Sequence, residues 1–169
     1  ITGGVLDPLK IDGRKSVSLK EEVEILRQIP LFAKIEPSKI KLLAFTSERL
    51  TFQPDDLVCE QGDNGDAAYF IMAGEADVIV DTPSGPLTVA TRGKNDVVGE
   101  IAILIDVPRT ATIKAKTELT TLKITKDVFF RMVTEFPEMA VEMMRVLAER
   151  LVRTTDDLQQ AKEMIRNDD

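Results

Sequence analysis

Apolar residues at helical spacing predict two helices near the N-terminus. Ser18, with Glu21 three residues later, has the form of a capping box, and Pro30 is expected to end the helix that follows. The segment Glu36-Pro37-Ser38 predicts the start of the second helix. The apolar residues expected on the buried faces of these helices are Val23, Ile25, Leu26, Ile29, Ile40, Leu42, Leu43 and Phe45.

Between Leu50 and Ile124 the apolar positions alternate with a period of two. The alternating segments are short, and residues such as Gly, Pro, Asn and Asp separate them. Many short strands at close spacing favour a small barrel or a sandwich. The predicted strands are 50–52, 57–60, 67–72, 75–81, 87–91, 109–116 and 118–125.

After Lys126 the pattern becomes helical again. One short helix is predicted over 127–135, and a longer one begins at Pro137 and runs to about Arg166. Its apolar residues recur in steps of four and three, which is a heptad seam. The seam consists of Ala140, Met144, Leu147, Leu151, Thr154, Leu158, Ala161 and Ile165. This helix is expected to pack on the strands, to pair with a copy of itself, or to do both in succession.

The segment 98–112 differs from the others because it places charged groups inside an apolar run. Glu100 and Arg109 lie among Ile, Leu and Val. A buried charge costs several kcal/mol unless it is neutralised or hydrogen-bonded. These two residues therefore either pair with each other or bind a ligand that brings an anion and hydroxyl groups.

The order of residues in this segment favours the ligand. Gly99 permits close backbone approach, and 100–104 reads as one helical turn whose first N–H groups would point at an anion. After Pro108, Arg109 offers a planar fork that can bind two phosphate oxygens at once. Glu100 would repel a phosphate, but it can accept a hydrogen bond from a ribose 2′-hydroxyl. A phosphate beside a ribose hydroxyl describes a nucleotide.

Composition narrows the class of protein. The chain has 169 residues, of which 43% are apolar, enough for one well-packed domain over 18–169. Residues 1–17 have no helical or strand period and are interpreted as a linker, a tag or an extended arm. With 29 acidic and 22 basic residues, nonspecific binding to nucleic-acid phosphates is disfavoured. No apolar run is long enough to cross a bilayer and no signal peptide is recognised, so a cytoplasmic location is expected.

The residue types also argue against catalysis and metal binding. The chain has no His, which removes the commonest general base and the commonest transition-metal ligand. The acidic segment 63–66 lacks the spacing of a calcium loop. Cys59, the single cysteine, is interpreted as a buried thiol in a strand. We therefore expect neither an enzyme nor a metal site.

Two short motifs give the chain a specific resemblance. Gly99-Glu100-Ile101-Ala102 followed by Pro108-Arg109-Thr110-Ala111 resembles the phosphate-binding cassette of the cyclic nucleotide-binding domain family. Segments 29–32, 60–66 and 69–75 agree with the same family, so the resemblance covers about 24–158. That family includes catabolite activator proteins, regulatory subunits of cAMP-dependent protein kinase and nucleotide-gated channels.

The resemblance implies a mainly β fold with flanking helices. Its core would be an eight-stranded antiparallel jelly-roll barrel over about 47–125. N-terminal helices would precede this barrel, and C-terminal helices over about 127–166, the last of them long, would follow it.

The resemblance also implies roles for individual residues. Arg109 would pair with the cyclic phosphate and Glu100 would hold the ribose 2′-hydroxyl. Thr110 occupies the place where related domains use a hydroxyl to contact the guanine amine, so it leaves both cAMP and cGMP open. Backbone groups of Gly99, Ile101, Ala102 and Ala111 would line the phosphate and the sugar.

The base contacts implied by the resemblance come from the strands and from the last helix. Val78, Val89 and Ala90 would contact the purine, although the same residues also read as ordinary inward-facing strand positions. Arg150, Thr154 and Thr155 would reach the base from the last helix. Thr154 is the polar member of the seam, and its hydroxyl could instead bond its own helix backbone or a neighbouring helix.

The function implied is a non-catalytic sensor of cAMP or cGMP that needs no cofactor and signals through movement of its C-terminal helix. An alternative is a ligand-independent interaction module that dimerises through the heptad seam. A homodimer is expected in either case. The family's transcription factors add a DNA-binding domain and its channels a membrane domain, and neither is expected within this chain.

Overall fold

The computed structural model describes residues 18–167, so the arm expected over 1–17 lies outside the described residues. The first helix, α1, spans Leu19–Arg27, and α2 spans Pro37–Thr46, with a 3-10 turn at Pro30–Phe32 between them. The predicted capping box is confirmed. Ser18 Oγ accepts from the Glu21 amide at 3.3 Å, and the Glu21 carboxylate accepts from the Ser18 amide at 2.8 Å.

Short strands follow the two helices, and a helix at 100–104 interrupts the series. Most of them overlap the segments predicted from period-two alternation, and all pair in antiparallel fashion. They are β1 Glu48–Phe52, β2 Leu57–Cys59, β3 Ala67–Ala73, β4 Ala76–Thr82, β5 Gly85–Arg92, β6 Val97–Val98, β7 Thr112–Ala115 and β8 Leu119–Thr125.

The strands form two four-stranded sheets and not a closed barrel. One sheet has the order β1-β8-β3-β6 and the other β2-β7-β4-β5. The eight strands and their antiparallel pairing agree with the expected jelly roll, but no ladder joins the two sheets among residues 18–167, so the expected barrel is not confirmed. The apolar cluster between the sheets contains Phe52, Ile71, Ile113 and Leu119, which makes the arrangement a sandwich.

Strand β3 organises the core because it is buried on both faces. Tyr69 and Ile71 point into the cluster between the sheets, whereas Ala68 and Phe70 belong to a second cluster with the helices. Phe70 packs on Phe32 of the 3-10 turn, with ring centroids 5.0 Å apart. The strand therefore joins the sandwich to the helical layer.

One predicted helix face is partly wrong. In α2, Ile40 and Leu43 are buried as expected, but Leu42 is 57% and Phe45 79% exposed. At about 100° per residue, Leu42 and Phe45 lie on the side of the helix opposite Ile40. The helix packs through one narrow face, and the apolar residues outside that face remain in solvent.

Three further helices complete the fold: α3 at Glu100–Leu104, α4 at Lys126–Glu135 and α5 at Pro137–Asn167. The first part of α5 packs on the body through Met139 and Met143, which lie outside the predicted seam. Every residue from 151 to 167 is exposed. Packing on the strands is thus restricted to the first half of α5, and pairing of the seam with a copy stays a prediction.

No helix within 18–167 combines the length and the apolar content that a membrane crossing requires.

Two glycines with positive φ provide a test of how tightly the turns are packed. Gly74 (φ +85°) and Gly62 (φ +89°) both occupy the left-handed region. A Cβ on Gly74 would overlap the Glu118 carbonyl, whereas a Cβ on Gly62 would meet nothing within 4 Å. Gly62→Ala is expected to cost about 1 kcal/mol of unfolding free energy from backbone strain alone. Gly74→Ala is expected to cost at least about 3 kcal/mol, because the overlap adds to the strain. Urea denaturation measures both, and equal losses would contradict the prediction.

Candidate functional site

A cavity of about 310 Å³ lies between the β2-β7-β4-β5 sheet, the segment around α3 and the middle of α5. It brings together most of the residues predicted to bind a ligand, although they are spread over 78–154 of the chain. The predicted residues that line it are Val78, Gly99, Glu100, Ile101, Ala102, Arg109, Thr110, Ala111, Arg150 and Thr154.

Arg109 is the buried cation of the cavity, with 4% of its surface exposed. Its Nη1 donates to the Gly99 carbonyl at 2.8 Å and its Nη2 donates to the Ala67 carbonyl at 2.8 Å. The guanidinium also lies 5.7 Å from the centroid of the Tyr69 ring. A guanidinium has five N–H groups, so hydrogens remain for an anion in the cavity.

Two glycines make room for this arrangement. Gly99 has φ +76°, and a Cβ there would lie 2.5 Å from Arg109 Nη1. A Cβ on Gly65 would overlap the Ala102 Cβ. The close backbone approach expected at Gly99 is therefore present, and Gly65 allows its loop to lie directly against α3.

Glu100 is the buried anion, and its partner is not Arg109. The Glu100 side chain is only 4% exposed, and its Oε1 accepts from Arg150 Nη1 at 2.7 Å. Arg150 Nη2 also donates to the Val97 carbonyl at 2.6 Å. The ion pair that could have joined Glu100 to Arg109 is absent, because each residue has found a different partner.

This pairing assigns Arg150 a position that the sequence did not indicate. Arg150 was expected near a base, and its guanidinium instead holds the carboxylate of α3. The two residues are 50 positions apart, so no local spacing could have signalled the contact. The consequence is a direct link between α3 and the long helix α5.

Three predicted base contacts do not line the cavity. Val89 is 50% exposed, because a bulge between Val78 and Ile79 leaves Val89 without a partner in the β4-β5 register. Ala90 lies opposite Val78 in that register but does not reach the cavity surface. Thr155 is exposed, and its hydroxyl donates to the Leu151 carbonyl of its own helix at 2.8 Å.

Seven residues that line the cavity were not among the predicted ligand-binding residues, namely Cys59, Arg92, Val97, Val98, Ile113, Leu147 and Leu151. Arg92 ends β5, and its pKa is lowered by burial and by the charge of Arg150 nearby. Cys59 faces the same cavity, and burial raises the pKa of its thiol. The sequence did offer one signal for Arg92: it is a basic residue at the end of a strand whose preceding residues are apolar or carry hydroxyls.

The cavity is electropositive and partly apolar. The charged groups that line it are three guanidinium groups, those of Arg92, Arg109 and Arg150, and the carboxylate of Glu100. Val78, Ile113, Leu147 and Leu151 supply apolar wall. Such a cavity suits an anionic ligand that also has an apolar ring and hydroxyl groups. Within residues 18–167 no cluster of His, Cys, Asp and Glu could hold a metal ion.

Comparison with known proteins agrees with this chemistry. The family model described as the cyclic nucleotide-binding domain matches residues 49–136. The chain is 31% identical over 136 residues to a CRP-like cAMP-activated global transcriptional regulator of Mycobacterium tuberculosis, covering 80% of this chain and 61% of the regulator. It is 33% identical over 107 residues to a cAMP-dependent protein kinase regulatory subunit of Emericella nidulans, covering 63% of this chain and 26% of the subunit.

A solved structure supports the fold. A cyclic nucleotide-binding domain from Methylobacillus flagellatus superposes with a TM-score of 0.68 at 24% identity, covering 82% of this chain and 80% of that one. By their names the two relatives above are regulators and not enzymes, and this chain spans only part of their length. The family match, the strand order and the cassette around Glu100 and Arg109 lead to one conclusion: the chain belongs to the cyclic nucleotide-binding domain family.

Proposed function

We propose that the chain is a regulatory sensor that binds a purine 3′,5′-cyclic monophosphate, cAMP or cGMP, in the cavity beside α3. The observation that carries the proposal is the pair of buried, oppositely charged side chains, Glu100 and Arg109, facing one cavity from a single cassette. Arg109 has no carboxylate partner among residues 18–167, so a ligand phosphate would supply its counter-ion, while a ligand hydroxyl would bond the oxygen of Glu100 that Arg150 leaves free.

The phosphate is assigned to Arg109. Its two bonds to main-chain carbonyls hold the guanidinium in one orientation before the ligand arrives, so little side-chain entropy remains to be lost. The remaining N–H groups bind phosphate oxygens. Ile101, Ala102 and Ala111 line the same cavity, and we assign their main-chain N–H groups to the phosphate as well.

The ribose is assigned to Glu100. Arg150 occupies Oε1, and Oε2 makes no hydrogen bond to another residue of 18–167. That oxygen accepts from the 2′-hydroxyl, while Arg150 stays hydrogen-bonded to the other oxygen. The sugar contact and the ion pair are therefore made by different atoms of one carboxylate.

The base is assigned to the wall opposite the cassette. Val78 and Leu147 supply apolar contact, and Thr154 of α5 and Thr110 of the cassette supply hydroxyls. The two relatives named above are described as cAMP proteins, which makes cAMP the first nucleotide to test. Thr110 makes cGMP the second nucleotide to test, because related domains use a hydroxyl at this place to contact the guanine amine.

The signal is assigned to α5. Arg150 bonds both Glu100 and the Val97 carbonyl, so a ligand that contacts Glu100 also changes the forces on the middle of α5. The second half of the helix is exposed from 151 to 167 and is free to bind elsewhere. Movement of α5 is thus the proposed output of nucleotide binding.

The alternative is a ligand-independent interaction module with the same fold. It is favoured by one observation, which is that Arg109 and Glu100 both find partners inside the protein without a nucleotide. The two proposals differ in calorimetry. Titration with cAMP or cGMP releases binding heat under the first proposal and none under the second.

Replacement of Arg109 by lysine tests the phosphate assignment. Arg109→Lys keeps the charge but loses the fork, so the affinity for cAMP or cGMP is expected to fall about tenfold to a hundredfold. Isothermal titration calorimetry measures the change. Arg145→Lys is the matched control, since Arg145 is an exposed arginine paired with Glu142 on α5. Unchanged affinity of Arg109→Lys would contradict the assignment.

A cycle with a modified ligand tests the ribose assignment. The natural protein is expected to bind 2′-deoxy-cAMP about tenfold more weakly than cAMP, because a hydrogen bond to a charged group is lost. In Glu100→Gln the difference between the two ligands is expected to shrink to about threefold, because the acceptor is no longer charged. If both proteins discriminate equally, Glu100 serves only Arg150 and the assignment is wrong.

Self-association through α5 is proposed from the exposed seam and has its own test. Leu151, Leu158 and Ile165 are 55–69% exposed and seven residues apart, as expected for one face of a two-stranded coiled coil. The natural protein is expected to have the mass of a dimer in light scattering, and Leu158→Glu the mass of a monomer. Val152→Glu is the control, because Val152 is 60% exposed but lies off the seam. A monomeric natural protein would contradict the proposal.

A further inference from the structure

The outer side of α2 carries apolar residues that nothing within 18–167 covers. Leu42 is 57% exposed and Phe45 79%, which is the largest exposed fraction among the large apolar residues described. Lys41 and Ser38 lie beside them, because residues three and four positions apart are neighbours on a helix surface. We call Ser38, Lys41, Leu42 and Phe45 the outer face of α2. None of the four lines the cavity beside α3.

The opposite side of α2 is packed, which makes the exposed side unusual. Ile40, Leu43 and Ala44 belong to the apolar cluster between the helices and the sheet. A surface helix normally has one apolar stripe and a polar opposite face, whereas a helix with apolar residues all round is typically buried. The adjacent leucine and phenylalanine on the outer face therefore indicate a partner that covers them.

The arm at 1–17 contains a segment whose composition matches this face. The segment 5–12 reads Val-Leu-Asp-Pro-Leu-Lys-Ile-Asp, so four large apolar residues lie close together in it. Asp7 and Asp12 outnumber its single lysine, and the outer face of α2 carries the exposed side chain of Lys41 and no carboxylate. The segment can therefore supply both apolar contact and an opposite charge.

The arm is attached close enough to α2 for this contact. It joins α1 at Ser18, and α1 packs against α2. Six residues lead from Asp12 to Ser18 and span up to about 20 Å when extended, whereas α2 is about 15 Å long. The segment 5–12 can therefore reach the outer face, and its covalent attachment gives it a high local concentration there.

The residues between the segment and α1 favour the same path. Arg14 and Lys15 precede the acidic first turn of α1, which contains Glu21 and Glu22. Attraction between these opposite charges favours a connection that stays beside α1.

A second copy of the chain fits the outer face less well than the arm does. In a two-fold contact through this face, Lys41 would meet a surface that has a second ammonium group and no carboxylate. The arm, in contrast, brings two aspartates to the same place.

We propose that the segment 5–12 docks on the outer face of α2, with its apolar residues against Leu42 and Phe45 and its aspartates beside Lys41. The arm is then part of the helical layer and not a linker or a tag. The contact lies outside the cavity, so it does not depend on the proposed function.

Phe45→Trp gives a direct test, because the natural chain has no Trp. In the full chain the emission maximum of this Trp is expected at a shorter wavelength than that of Trp in solvent, since the segment covers it. Adding Leu6→Ser and Leu9→Ser removes apolar contacts from the segment. The emission maximum is then expected to shift to the wavelength of Trp in solvent, and quenching by acrylamide is expected to increase.

Two controls show whether the shift is specific to this contact. Val152→Trp places the reporter on α5 at a residue that is 60% exposed, and Leu6→Ser with Leu9→Ser should leave its emission unchanged. Lys10→Ser changes a polar residue of the same segment, and it should leave the emission of Phe45→Trp at the shorter wavelength.

Thermal melting provides a second measurement that needs no Trp. Leu6→Ser with Leu9→Ser is expected to lower the melting temperature of the natural chain. The same two substitutions are expected to leave the melting temperature of Phe45→Ser unchanged, because the contact is already lost in that variant.

The remaining outcomes overturn the proposal. Emission of Phe45→Trp at the wavelength of Trp in solvent would mean that the outer face is free in the full chain. Emission that stays at the shorter wavelength with both serines would mean that another occupant covers the face, and a shift on dilution would identify a second copy as that occupant. A loss of melting temperature that is equal in the natural and Phe45→Ser chains, or absent from both, would mean that the arm does not contact Phe45.

Discussion

The buried guanidinium of Arg109 is the interaction on which the rest of the site depends. By donating to the carbonyls of Gly99 and Ala67, it joins the cassette to the beginning of β3, the strand that is buried on both faces. The glycines at 65 and 99 are needed because a Cβ at either position would occupy the space that Arg109 or α3 requires. The Arg109 side chain thus restricts the residue types that can lie beside it, fixes the turn of the chain there and determines where an anion can bind. The two main-chain carbonyls offset part of the cost of burying that charge, and they leave it without a counter-ion.

Local patterns predicted most of the fold but not its long-range pairings. Alternation located seven of the eight strands, and it missed β6 because two residues, Val97 and Val98, are too few to show a period. The barrel that the resemblance implied is not confirmed, since no ladder joins the two sheets within 18–167, and strand patterns identify faces but not the ladders that join edges. Phe45 was misplaced because spacing alone does not tell how wide the contacting face of a helix is.

The candidate site shows the same division. The cassette was predictable because its residues are close in sequence, and the structure places 99–102 and 109–111 on one cavity. The Glu100–Arg150 pair was not predictable as a pair, since its partners are 50 residues apart. Val89 was expected at the base because of the family resemblance, and in the structure a bulge leaves it without a partner in the register and outside the cavity lining. Composition and residue spacing therefore do not predict irregular strand pairing, and they do not predict contacts between segments that are far apart in the sequence.

The Glu100–Arg150 contact also extends the site far beyond the strands along the chain. Every strand is complete by Thr125, and the residues that match the family model stop at 136, yet the counter-charge of Glu100 comes from Arg150. A chain cut between these points would keep both sheets and would leave a carboxylate buried without a partner, a defect worth about 3–5 kcal/mol in other proteins. A fragment that keeps the counter-charge of Glu100 must therefore extend to Arg150, about two turns of α5 beyond Met143, the last buried methionine, and well past the last strand.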